Sequence, residues 1–113
     1  MSFRYQAPSD ISKKKFLDII AGNEVVSMCQ AIVDAVHGID DYDWLLLEFN
    51  GLLKHQNEHV RGVTVTCIGH LARLSPDANR EQLLSILQPL LSDSSIVGRV
   101  EDAIDDVNFF VSK

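Results

Sequence analysis

Residues 42–74, YDWLLLEFNGLLKHQNEHVRGVTVTCIGHLARL, constrain the fold more than any other stretch, because they read as two consecutive amphipathic helices joined by a short polar turn. Apolar residues recur at Trp44, Leu45, Leu47, Leu52 and Leu53 in the first helix and at Val60, Val63, Cys67, Leu71 and Leu74 in the second. Spacings of three and four gather each set on one helix face. A single hairpin has nothing to bury that face against. A repeat of about 35 residues would supply neighbours on both sides, and it is the signature of a stacked helical solenoid.

Superposing the segments supports such a repeat. Moved toward the C-terminus, Leu46, Leu47 and Leu53 fall on Leu83, Leu84 and Leu90, and Val60, Val63, Cys67, His70 and Leu74 fall on Val97, Val100, Ile104, Val107 and Val111. Moved toward the N-terminus, Phe49, Leu52 and Leu53 fall on Phe16, Ile19 and Ile20, while Val60, Val63, Cys67 and Leu71 fall on Val25, Met28, Ile32 and Val36. The two helices need different offsets there, so the first loop differs in length from the others. The expectation is an all-α chain, one domain over residues 1–113, folded as a short right-handed α-solenoid of about three helical hairpins.

Local chemistry predicts the boundaries. Ser9 or Asp10 can cap the first helix, which runs past Lys13 to Ala21 and stops at Gly22, and Asn23 caps the second, which ends near Gly38. One of Asp40, Asp41 and Asp43 opens the third with a carboxylate at its positive end, Asn57 opens the fourth, and Ser75-Pro76-Asp77 closes it. Pro89 falls inside the fifth helix and predicts a kink there. Asp93 or Ser94 caps the sixth, which ends at Phe109, Phe110 and Val111.

Glu58-His59-Val60-Arg61-Gly62-Val63 followed by Cys67-Ile68-Gly69-His70-Leu71 resembles the second helix of a HEAT repeat, whose pattern is a turn acid, Val-Arg, small residues and Gly-x-Leu. Asp93, Val97 and Arg99 give a degraded echo, and Asn23-Glu24-Val25-Val26 another, with Ser27 where the arginine would stand. The resemblance implies a HEAT/ARM-like scaffold that binds protein without chemistry.

Composition agrees. With 46% hydrophobic residues the chain is not a disordered one, and 113 residues suffice for one core whose end hairpins act as caps. No segment reaches the length of a membrane span, and Met-Ser-Phe-Arg-Tyr-Gln-Ala-Pro has no apolar signal core, so a cytoplasmic protein is expected. Cys29 and Cys67 both lie on apolar faces of second helices and read as small buried hydrophobes.

Four features bear on function. His55 and His59 have the spacing of helical metal ligands, but Asn57 intervenes as a cap and no third ligand is near, so solvated turn histidines and no metal are expected. Gly62, Thr66 and Gly69 leave one side of the fourth helix nearly bare. Two glycines inside a helix cost about 1 kcal/mol each relative to alanine, which close helix packing, or a groove entered by a partner, would have to offset. In the acidic loop, one carboxylate of Asp40, Asp41 and Asp43 serves as cap. The rest, interleaved with Tyr42 and Trp44, resemble a protein-binding hot spot selecting a basic partner, although Trp44 fits a core equally well. In the last helix Glu101, Asp102, Asp105 and Asp106 crowd like charges at spacings of three and four, either as a solvated face or as one whose repulsion a cationic partner relieves.

There is no phosphate-binding glycine loop, no nucleophile elbow and no histidine beside a nucleophile with an orienting acid, so neither catalysis nor a cofactor is expected. A net charge of −6 makes the chain a poor ligand for nucleic acid but a good mimic of it. In size, charge and helical-repeat architecture it resembles bacterial immunity proteins, small acidic intracellular chains that each bind one basic nuclease toxin. That resemblance implies a basic toxin domain as partner, met by Asp40, Asp41, Tyr42, Asp43, Trp44, Glu101, Asp102, Asp105 and Asp106. The competing reading is an adaptor or assembly subunit bridging two proteins of a larger complex. An immunity gene sits immediately downstream of a large toxin gene; an adaptor gene does not.

Overall fold

In the computed structural model, which describes residues 11–112, the chain forms α1 (Lys13–Ala21), α2 (Val25–Gly38), α3 (Tyr42–Leu52), α4 (Glu58–Leu74), α5 (Arg80–Leu87) and α6 (Val97–Phe110), with a 3-10 turn at Gln88–Ser92 between the last two. No strand occurs among the described residues. The expected caps Ser9 and Asp10 and the N-terminal segment Met1 to Pro8 lie outside them.

The packing order follows the chain. α1 packs on α2, α3 on α4 and α5 on α6, and α4 also packs against both α2 and α6. Ten of the 17 residues of α4 are buried, so it is the central element of the core. Several of the superposed positions lie in that core: Phe16 and Phe49 are fully buried, as are Met28 and Ile32 of α2, Val60, Val63 and Cys67 of α4, and Val100 and Val107 of α6, all at or below 3% exposure, whereas Leu74, expected on the same apolar face of α4, is 45% exposed at the end of that helix. Thr64 is also buried on α4, and its hydroxyl donates to the Val60 carbonyl at 2.7 Å, so no polar group is stranded there. Both cysteines are buried. Burial pushes the Cys67 thiol up to about 12, which keeps it protonated and inert at neutral pH.

Several local expectations are corrected. Leu47, assigned above to the apolar face of α3, is 69% exposed, because the buried row is Leu45, Leu46, Phe49 and Leu52 and position 47 falls off it. Asn23 does not cap α2. It adopts φ 58°, a left-handed conformation that asparagine tolerates, to reverse the chain after Gly22, and the extended Glu24 next to it becomes the cap, accepting from the Ser27 amide at 3.0 Å. Ser12 caps α1. Pro89 does not kink an uninterrupted helix: lacking an amide and crowding the preceding turn, it lies near the start of the 3-10 segment into which α5 tightens after Leu87. Neither Asp93 nor Ser94 caps α6, whose first turn follows Ile96 without a side-chain cap. Asp93 instead turns toward Ser95 and Arg61. Asp41 and Asn57 cap α3 and α4 as expected, the former accepting from the Trp44 amide and the latter from those of His59 and Val60.

Candidate functional site

The acidic loop before α3 is largely engaged within the chain. Asp41 accepts from Lys13 Nζ at 2.6 Å as well as from the Trp44 amide at 3.1 Å, and these two bonds, the lysine's first, hold its carboxyl below the usual carboxylate range. The same ammonium lies 5.2 Å from the centre of the Trp44 ring, which meets Phe16 edge to face at 5.6 Å. Trp44 is half-buried in this α1–α3 contact. Tyr42 is 7% exposed; its hydroxyl donates to Gln82 Oε1 at 2.9 Å and accepts from the Asn79 amide at 3.2 Å, tying α3 to the start of α5. Burial raises the phenol above its ordinary value. Asp40 and Asp43 remain exposed.

Asp40, Asp41 and Tyr42 also line an open cleft of about 240 Å³ with His37, Leu71, Leu74 and Ser75, between the end of α2 and the end of α4. Beside it stands His70, whose ring lies 5.9 Å from that of His37 and whose Nδ1 is buried without a hydrogen-bond partner. Burial pushes this imidazole below its ordinary value; Arg73 and His37 act in the same direction and Asp106 against it. With the folded value below the unfolded one, the unfolded chain takes up the proton first. The stability that neutral His70 contributes is therefore present above about pH 6.5 and is lost as pH falls below that toward the folded value. Melting temperatures measured from about pH 5 to pH 7 should fall toward acid less steeply in His70→Gln than in the native chain; parallel curves would assign the dependence to other groups.

On α6 the four acids part company. Glu101, Asp102 and Asp105 are exposed, whereas Asp106 is half-buried and turned toward α4, its Oδ2 3.2 Å from where a Cβ on Gly69 would stand. The bare side of α4 is occupied by α6. Ala103 fits against Gly69, and Arg99 lies across Gly62 and donates to Thr66 Oγ1 at 3.0 Å. Close helix packing thus accounts for Gly69, while at Gly62 the neighbour is a flexible side chain. The two acidic clusters lie on separate elements, the loop at the start of α3 and the outer side of α6.

His55 and His59 do not converge. The first precedes α4, with Nε2 3.0 Å from Asn23 Oδ1 and Nδ1 accepting from the Asn57 amide, and the second lies within α4. Among the described residues no group of three or more His, Cys, Asp or Glu is placed to hold a metal ion, and no helix is long and apolar enough to cross a membrane.

The chain is similar over nearly its whole length to a solved structure. That structure is a chain of "Crystal structure of CDI complex from Cupriavidus taiwanensis LMG 19424", 25% identical, superposing with a TM-score of 0.88 over 97% of this chain and 99% of that one. No family model matches the sequence, and the comparison with curated proteins gives no match.

Two features carry no local signal of their role in the sequence. Arg61 stands in the sequence only as part of a motif, yet its guanidinium donates to Asp93 Oδ2 at 3.2 Å, the His55 and Gln56 carbonyls at 2.8 and 3.0 Å, and Ser95 Oγ at 3.0 Å. Phe109 stands there only as the end of a helix, yet it is 81% exposed. Its place was legible: it follows Asp105 by four positions and lies off the row of Val100, Ala103 and Val107.

Proposed function

We propose that this protein is an immunity protein of a contact-dependent inhibition system, a non-catalytic chain that binds and neutralises a toxin domain in the cytoplasm. The observation that carries the reading is the end-to-end likeness to a chain of a CDI complex, a toxin–immunity assembly, at a TM-score of 0.88. A shared fragment would support only a shared module, whereas the likeness here covers 97% of this chain and 99% of that one. The same likeness accords with a protein that acts by binding, without chemistry.

The toxin we assign is basic and acts as a nuclease. A net charge of −6, with Asp40, Asp43, Glu101, Asp102 and Asp105 exposed, suits the cationic surface that a nuclease presents to a phosphate backbone. The architecture we attach to this role is a short HEAT-like solenoid, supported by the order of helix contacts along the chain.

The test uses the C-terminal domain of the large protein encoded immediately upstream. Produced alone it should arrest growth. Produced with this chain it should be tolerated, and the purified pair should form a complex whose association slows as salt rises. An upstream gene without such a domain, or a toxin domain that neither binds this chain nor is neutralised by it, would overturn the reading in favour of the adaptor.

A further inference from the structure

We infer that the outer face of α6 is the surface that grips the toxin domain, with Phe109 as its apolar anchor and Glu101, Asp102 and Asp105 as the charges that orient it. This inference rests on the function proposed above and names the surface that performs it.

Phe109 is the most exposed of the large hydrophobics among the described residues, and its neighbours distinguish it from a stray surface side chain. Its ring meets that of Phe110 edge to face, with centroids 4.8 Å apart and planes at 72°, so two aromatic side chains form one exposed apolar patch. Phe110 in turn walls a groove of about 390 Å³ at the junction of α4 and α6, lined by Leu74, Pro76, Ala78 and Val111 and edged by the polar Arg73 and Ser75. Asp105 lies four positions before Phe109, Asp102 three before Asp105, and Glu101 four before Asp105, so all three carboxylates surround the ring on one helix face. Gly98 lies on that face too, with nothing within 4 Å of where its Cβ would stand, which leaves the approach unobstructed.

The charges decide the occupant. A second copy of this chain meeting it through a two-fold axis at Phe109 would bring two rows of carboxylates together in a desolvated contact. An anionic membrane surface is disfavoured for the same reason. A protein offering an apolar pocket rimmed by lysine or arginine satisfies both the ring and the acids, and a basic nuclease domain has that chemistry.

The experiment compares the native chain with Phe109→Ser, with Glu101→Lys/Asp102→Lys/Asp105→Lys, and with Leu47→Ser as a control at another exposed hydrophobic. The probe is the purified C-terminal domain encoded upstream, and rates, melting temperature and sedimentation are measured for each. Phe109→Ser should keep its melting temperature and dissociate at least ~10-fold faster, as loss of a central anchor does. The triple lysine variant should associate more slowly and lose its salt dependence, while Leu47→Ser behaves as native. Native binding with unchanged rates in Phe109→Ser and the triple variant would overturn the inference and leave the proposed function standing. A native chain that does not bind the probe removes both. A native dimer dispersed by Phe109→Ser would make this a self-association face and overturn it also.

Discussion

Replacing Gly69 by leucine is expected to lower stability by roughly 3 kcal/mol or more, a large fraction of what holds a domain of this size together. A Cβ at Gly69 would stand 3.1 Å from both Cα and Cβ of Ala103 and 3.2 Å from Asp106 Oδ2. Ala103 is 2% exposed, and the obstructing Cα belongs to the α6 backbone, so no change of rotamer relieves the contact. The whole of α6 would have to move off α4. Gly62 gives the contrast. A Cβ there meets Arg99 Cδ at 2.9 Å and Nε at 3.0 Å, atoms of an exposed and flexible side chain that can swing away at the loss of its bond to Thr66. Alanine at 62 should be close to neutral, since the gain of about 1 kcal/mol in helix propensity offsets that loss. Gly98→Ala, with open space around it in α6, should stabilise by roughly 0.5 to 1 kcal/mol. Urea midpoints of the set would order the three sites. A Gly69→Leu midpoint equal to the native one would show that the α4–α6 contact is not the close fit described.

The features legible in the sequence were those in which a few adjacent residues settle the matter. Asn57 caps α4 because a short polar side chain can reach amides two or three positions ahead, and by the same reach one of the three acids before α3, Asp41, caps that helix. The glycine side of α4 was legible as a place that a neighbour must fill closely, by helix packing or by a partner, because glycine within a helix is unfavourable unless a neighbour needs the space; at Gly69 that neighbour is α6. Where a distant group competes, the local rule gave way. Asp93 had the position of a cap, but Arg61 and Ser95 hold its carboxylate and α6 begins later. Asp106 belonged to an acidic row by spacing alone, and only the approach of α6 to Gly69 turns it inward. Tyr42 and Asp41 illustrate the same limit in the candidate site, because their partners Gln82, Asn79 and Lys13 come from other helices and no local pattern announces them.

Arg61→Met should destabilise by about 2 kcal/mol, the second largest effect expected, although no apolar packing is removed. The side chain is 18% exposed and its four hydrogen bonds reach two separate connections: the His55 and Gln56 carbonyls before α4, and Asp93 and Ser95 before α6. One guanidinium thereby fixes where both helices start relative to each other. Methionine fills similar volume but leaves two carbonyls and a carboxylate to find water at a half-buried seam. Asp93 adds a pH signature. Its bond from Ser95 comes first among the causes that hold its carboxyl below the ordinary value, with Arg61 adding to it. Stability from this group is therefore present above the unfolded carboxylate value of about 3.9 and lost as pH falls through the folded one. The acid limb of the stability curve should be shallower in Arg61→Met. Arg61→Lys separates charge from shape: lysine keeps the cation but has a single donor centre in place of a planar fork, so it cannot serve both connections at once. Most of the loss should persist in Arg61→Lys. Native stability in that variant would mean that attraction to Asp93 alone joins the two turns, and that the fork's reach to the His55 and Gln56 carbonyls contributes nothing.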